Sequence, residues 1–196
     1  MGFNTSDISE PKEGVIAASL DILKMKQGSP KEKKNGDVFV TVYLTAKWSI
    51  LSQPGLGQEI WGNTMIARFK QVEREVADEY PDEFILWGDK GEVYVLDKGI
   101  TAGWVTQALV GLCHLLEIDP KDKDAIANAI PDVPVTVKES EAMKFTEQFV
   151  GRSAMINLKM GKPYGDRPAR MEVAAIVAPF DPAELADSGD NWMAEY

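Results

Sequence analysis

The sequence predicts a mainly β domain with inserted helices, an α+β arrangement, on three observations. Apolar and polar residues alternate with a period of two in a strand–loop–strand stretch near each end of the chain. Between these stretches Val105, Leu109, Leu112 and Leu116 recur at helical spacing. With 196 residues, 44% of them hydrophobic, the chain can bury one substantial core.

Met1–Glu13 is polar and acidic, a flexible N-terminus rather than a secretory signal. Val15–Met25 is the first expected strand, with Ile16, Ala18, Leu20 and Ile22 on one face. Gln27–Gly36 is a loop by its Gly, Pro, Asn and Lys content. Asp37–Ile50 returns as a strand, placing Val38, Val40, Val42, Leu44, Ala46 and Trp48 on one face. Phe39, Thr41, Tyr43, Thr45 and Lys47 fall on the other. Thr64–Phe69 and Phe84–Trp87 read as short strands, and Gly88–Gly91 as a tight turn into Glu92–Leu96. Gln71–Tyr80 reads as a short acidic helix stopped by Pro81. Thr101 is the expected N-cap of a helix over Ala102–Glu117, and Asp122–Ile130 and Glu139–Phe149 are further helical candidates. The closing hairpin runs from Arg152–Lys162 through residues 163–167 to Pro168–Ala178. Its two strands carry Ala154, Ile156, Leu158 and Met160, then Met171, Val173, Ala175 and Val177, each set on one face.

Three strands, helices and two closing strands follow one another in the order of an OB-fold. The oligonucleotide face of that small barrel spans its second and third strands, flanked by the loops joining strands 1–2 and 4–5. Here those loops are Gln27–Gly36 and Pro163–Arg167, and both are basic. The expected organisation is a flexible segment over 1–13, an OB-like domain over 14–180 with a helical insertion at about 70–149, and a disordered acidic tail over 181–196.

The net charge of −10 argues against a polyanionic partner until its distribution is considered. Residues 14–50 hold six lysines (24, 26, 31, 33, 34 and 47) against three acids. Residues 150–180 hold five cations (Arg152, Lys159, Lys162, Arg167 and Arg170) against two acids. The stretch 71–141 instead carries sixteen acids against six cations. Local field decides where a nucleic acid strand can dock.

Catalysis is poorly supplied, and no enzymatic activity, catalytic residue, cofactor or metal site is expected. The sole histidine, His114, adjoins the sole cysteine, Cys113, in an apolar helical run where neighbours point apart and cannot act as a pair. Asp119, Asp122 and Asp124 lack the glycine and terminal glutamate of an EF-hand loop and suit a helix start. One cysteine excludes an internal disulfide, and no apolar run reaches membrane-spanning length.

Binding is better supplied. Phe39, Tyr43 and Lys47 recur at every fourth position on the more polar strand face, two rings followed by a cation. Unpaired bases stack on such rings for about 1–3 kcal/mol each, whatever the sequence. Packing of both rings beneath the helices is the alternative. Candidate DNA contacts among the cations are Lys24, Lys26, Lys31, Lys33, Lys34, Lys47, Arg152, Lys159, Lys162, Arg167 and Arg170, with Tyr164 at the second hairpin tip. For the lysine loop a solvated turn is the competing reading. Residues 181–196 carry five acids and no cation, and end Trp192-Met193-Ala194-Glu195-Tyr196. Such a segment buries too little apolar surface to offset its ordering entropy. Asp187, Asp190, Trp192, Glu195 and Tyr196 nevertheless suit capture by a basic, apolar-lined pocket of a partner.

Barrel, basic loops and acidic tail together resemble bacteriophage single-stranded DNA-binding proteins. Gly151-Arg152-Ser153-Ala154-Met155-Ile156 through Tyr164-Gly165-Asp166-Arg167 to Val177-Ala178-Pro179 is similar to the closing hairpin of uncharacterised phage proteins thought to coat single strands. The tail is similar to the acidic C-termini of single-strand binders, although it ends in Tyr196 without a preceding proline. The resemblance implies sequence-nonspecific binding and protection of single-stranded DNA in phage replication or recombination. It implies a tail that recruits replication or recombination proteins, no membrane partner and a place in the host cytoplasm, and it is compatible with a homo-oligomer. A non-enzymatic virion or scaffold protein is the alternative.

Overall fold

The sheet grows outward from one long strand, β1 (Gly14–Gln27), which serves two neighbours. Its later part pairs with β3 (Val38–Ile50), from Ala18↔Ile50 to Gln27↔Val42. Its earlier part pairs with β7 (Ser153–Met160), from Gly14↔Leu158 to Ser19↔Ser153. Beyond β3 lie β4 (Glu59–Val72), β6 (Val93–Leu96) and, at the edge, β5 (Ile85–Trp87). Beyond β7 lies β8 (Met171–Pro179), so the order is β5-β6-β4-β3-β1-β7-β8 with all neighbours antiparallel. A two-residue strand, β2 (Lys31–Glu32), pairs with the start of β3 from within the lysine loop. The computed structural model describes residues 11–52, 55–130, 133–135, 139–163 and 168–183.

Among the described residues no ladder joins β8 to β4, so the sheet is open in its hydrogen bonding. Side chains bring the two strands together all the same. A Cβ on Gly62 of β4 would lie 3.0 Å from the Val173 Cβ of β8, so only a glycine admits that approach. Helix α2 (Lys98–Leu115) lies over the same gap, and a Cβ on its Gly111 would sit 3.2 Å from the Ile176 side chain. Ala18, Leu20, Val42, Trp48, Ile66, Phe69, Ile156 and Leu158 fill the concave side of the sheet. Leu112 and Leu115 of α2 close that core together with Phe145 of α4 (Glu139–Glu147) and the following Phe149. Burial of such aliphatic and aromatic side chains supplies most of the driving force for the fold.

The β3 alternation holds from Val40 on, with Val40, Val42, Leu44, Ala46 and Trp48 all buried, but Val38, expected on that face, is half-buried and Phe39, expected opposite, is buried. In β1 the parity breaks. The register shifts between Leu20 and Ile22, leaving Leu23 buried and Ile22 half-buried. One inserted residue, Asp21, reverses which side chains face inward, and its carboxylate accepts a 2.6 Å hydrogen bond from the Ser49 hydroxyl. Two further register shifts between β7 and β8 turn Ile176 toward the core and leave Ala175 and Val177 exposed, contrary to the expected face.

Three other expectations need correction. The helix expected over Gln71–Tyr80 is a single turn, α1 (Arg74–Ala77), because β4 runs on to Val72. The N-cap of α2 is Asp97 rather than Thr101; its carboxylate accepts from the Ile100 N–H, while Thr101 lies buried in the first turn. The strand expected over Thr64–Phe69 starts five residues earlier, at Glu59. Helix α3 (Lys123–Ala129) begins as expected, with the Asp122 carboxylate accepting from the N–H groups of Asp124 and Ala125. No helix among the described residues is long and apolar enough to cross a membrane.

Candidate nucleic-acid interface

The convex side of β1, β3 and β4 gathers the residues on which a binding reading rests. Phe39, Thr41, Tyr43, Thr45 and Lys47 alternate with the buried β3 residues and share this side. Cross-strand register sets them in rows. Lys26 and Met65 flank Tyr43, Lys24 and Asn63 flank Thr45, and Ile22 and Trp61 flank Lys47. Lys24 and Lys26 are exposed, Trp61 is 51% exposed and Met65 44%. The Thr45 hydroxyl donates to the Asn63 side-chain carbonyl at 2.7 Å, which ties the middle of the face together.

At the end of the face nearest the lysine loop, the aromatic is covered. Phe39 is only 8% exposed, yet it lies outside the main core. Lys33 Nζ and Arg68 Cζ each stand 4.6 Å from its ring centroid, a cation–π arrangement that occupies the ring where a base would stack. Arg68 is itself fixed. Its Nε donates to Asp97 Oδ2 at 3.0 Å and its Nη2 makes a second bond to the same oxygen. The Arg68 N–H donates to the Thr101 hydroxyl, and the Asp97 N–H donates to the Arg68 carbonyl. Burial works to raise the Asp97 pKa, but hydrogen bonds from Arg68 and the Ile100 N–H, with the charges of Arg68 and Lys33, outweigh it and hold the carboxyl below its ordinary value. Lys70 pairs with Asp37 at 3.0 Å, and hydrogen bonds from Lys70 and Asn35 likewise lower the Asp37 pKa. As an open stacking platform, Phe39 is therefore ruled out in this conformation.

Tyr43 is half-buried under the start of the loop. The Gly28 N–H donates to the Thr41 carbonyl at 2.8 Å, and a Cβ on Gly28 would lie 3.1 Å from Tyr43 Cε2. Lys47 is paired with Glu59, which lies across the ladder at the far end of the face. The exposed side chains there, Trp61 and Met65, had no place among the sequence candidates. Gly62 and Asn63 are poor strand formers and hid the start of β4. The one available signal was the alternation Ile60, Gly62 inward and Trp61, Asn63 outward.

The second hairpin does not join this face. Arg152 donates from Nε to the Gln148 carbonyl at 3.0 Å and from Nη1 to the Leu115 carbonyl at 3.5 Å, so it caps the ends of two helices. Lys159 pairs with Glu172 at 3.6 Å, and Lys162 and Arg170 are exposed near the turn. Gly14↔Leu158 pairing places the end of β7, with the adjoining Lys159 and Lys162, at the start of β1, whereas the lysine loop leaves the other end of that strand. Tyr164 and Arg167, with the tail residues Asp187, Asp190, Trp192, Glu195 and Tyr196, lie outside the described residues.

Lys24, Lys26, Lys31 and Lys34 have no ion-pair partner among the described residues, and Lys24, Lys26 and Lys31 border the half-covered Tyr43 and the covered Phe39. Unpaired ammonium groups beside exposed apolar surface can hold phosphates while bases lie on the rings. The sequence matches no protein-family model, and no curated protein matches it significantly.

Proposed function

We propose that the protein binds single-stranded DNA without regard to sequence, on the convex side of β1, β3 and β4. The observation that carries this reading is the exposed pair Trp61 and Met65 in the same cross-strand rows as Tyr43, Lys47 and Lys26. A large indole left in water, on a sheet face whose neighbouring rows carry the unpaired Lys24 and Lys26, matches what a strand of unpaired bases needs. Bases would stack on Trp61 and against Tyr43, and phosphates would run past Lys24, Lys26, Lys31 and Lys34.

The OB-like reading of the fold belongs to the same proposal. The order β4-β3-β1-β7-β8, with β8 returning beside β4 at Gly62, is the order such a barrel requires, and β5 and β6 are then additions at one edge. Protection of DNA in phage replication or recombination, and recruitment of replication proteins by residues 181–196, rest on the resemblance and on the charge pattern. No reaction is part of this reading.

Titration with oligo-dT at low salt, followed by tryptophan fluorescence, tests it. We expect quenching that saturates, weakens steeply with added salt and is largely lost in Trp61→Leu. Trp48 is buried, so it serves as an internal reference. A chain that ignores oligo-dT and assembles into particles instead would belong to the scaffold class.

A further inference from the structure

The far edge of the sheet carries a second surface, unrelated to the DNA face. Strand β5 ends the sheet, with β6 on one side and no strand on the other among the described residues. The Gly88 N–H donates to the Glu92 carbonyl at 2.8 Å, so Gly88 and Glu92 form a hydrogen-bonded pair. In an antiparallel ladder such pairs alternate. Leu86 therefore bonds to Tyr94, while the Trp87 N–H and C=O and the Ile85 C=O turn outward to the open edge. The Trp87 indole is 55% exposed, with Arg74 Cζ 5.7 Å from its ring. A small core of Ala77, Val93 and Val95, packed with Val72, Tyr80 and Ile85, backs this edge.

Acidic side chains outnumber the cations around it, which are Arg74, Lys90 and Lys98. Glu73, Glu75 and Asp78 lie at α1, which packs on β6, Asp82 and Glu83 lie in the turn before β5, and Asp89 lies two residues after it. All six are exposed, and none has an ion-pair partner among the described residues. An open strand edge invites another strand, and charge on its borders decides which. These acids repel a second copy of the same edge and attract a cationic strand.

We propose that β5 accepts an added strand from a partner protein: an extended segment rich in lysine or arginine, with apolar side chains at alternate positions. Its backbone would pair with the outward groups of Ile85 and Trp87, an apolar side chain would rest on the indole, and its cations would meet the acidic border. The chain cannot supply this strand from its own lysine loop in another copy. Lys31 and Glu32 already pair with β3, and Lys33 is held over Phe39.

The probe is a short synthetic peptide alternating lysine and valine, labelled for fluorescence anisotropy, with a glutamate–valine peptide as control, and full-length protein as the receptor. We expect the basic peptide alone to bind, more weakly as salt rises. Trp87→Pro removes the outward N–H without touching the β6 ladder and should weaken binding at least roughly tenfold. Glu83→Gln with Asp89→Asn leaves the backbone intact and should also weaken it, with a shallower salt dependence. Oligo-dT should bind these variants as well as it binds the unmodified protein, which separates this inference from the DNA reading. Equal binding of both peptides, no binding, unchanged affinity in both variants, a parallel loss of oligo-dT affinity in them, or self-association of the protein in place of peptide binding would each overturn it.

Discussion

The two ends of the β3–β4 face carry an aromatic side chain each, in opposite conditions. Phe39 is clamped between Lys33 and Arg68, and Arg68 is locked in turn by Asp97 at the start of α2. Trp61, at the other end, stands half in water next to a lysine that Glu59 already holds. Both rings occupy outward positions on a strand, so strand periodicity treats them alike. What separates them is the neighbour across the ladder. Phe39 has a cation-bearing loop on one side and Arg68 close on the other, whereas Trp61, between β3 and the approach of β8 at Gly62, has no cation over its ring among the described residues. A ring on an outward strand position is a platform only where nothing else in the fold has taken its faces.

The sharpest way to break this comparison is Phe39→Ala. Losing a ring packed by two cations should cost about 3 kcal/mol of stability by denaturant unfolding, while oligo-dT affinity of the folded protein stays nearly unchanged. A large loss of affinity with little loss of stability would mean that the clamp opens for DNA. Trp61→Ala should do the reverse. Stability should move by no more than about 0.5 kcal/mol, and affinity should fall by about 2 kcal/mol, roughly thirtyfold. Lys24→Gln combined with Lys26→Gln probes the middle of the face. If both contact phosphates, the slope of log affinity against log salt should become shallower by about 1.4, measured by anisotropy over a salt series.

The smallest effect concerns the lock on Arg68. Because the Asp97 carboxyl sits below its ordinary pKa in the folded chain, its pairing contributes stability at pH values above the ordinary carboxylate range of about 4. That contribution fades as pH falls through that range toward the lower folded value. Thermal unfolding from neutral pH downward should therefore lose less in Asp97→Asn than in the unmodified chain, since the variant has already given up the pair.

How much of this was legible from the sequence depends on the strand. In β3 burial alternates without interruption from Val40 to Ile50, and only at the start, where Val38 is half-buried and Phe39 is covered by cations, does the pattern miss. In β1 the same reasoning fails after Asp21, because a single inserted residue reverses parity and no composition signal marks it. In β4 the start was missed, since Gly62 and Asn63 weaken strand propensity. Only the close approach of Val173, a contact remote in sequence, explains why a glycine belongs there. Thr101 was the expected cap, but the helix starts a turn earlier at Asp97, whose carboxylate also meets Arg68, a contact from another strand. The lysine loop was read correctly as basic, but its cation–π grip on Phe39 depends on Arg68 arriving from another strand. Local chemistry was visible, and long-range pairing was not.

The divided loyalty of β1 sets an order on synthesis. Residues from Ala18 onward find their β3 partners almost as soon as they are made, because the hairpin is local. Ala17 still finds a local partner, its carbonyl accepting from the Leu51 N–H, but Gly14 to Ile16 must wait until β7 has been made. Until then that short piece of strand is an open edge to which another chain can add.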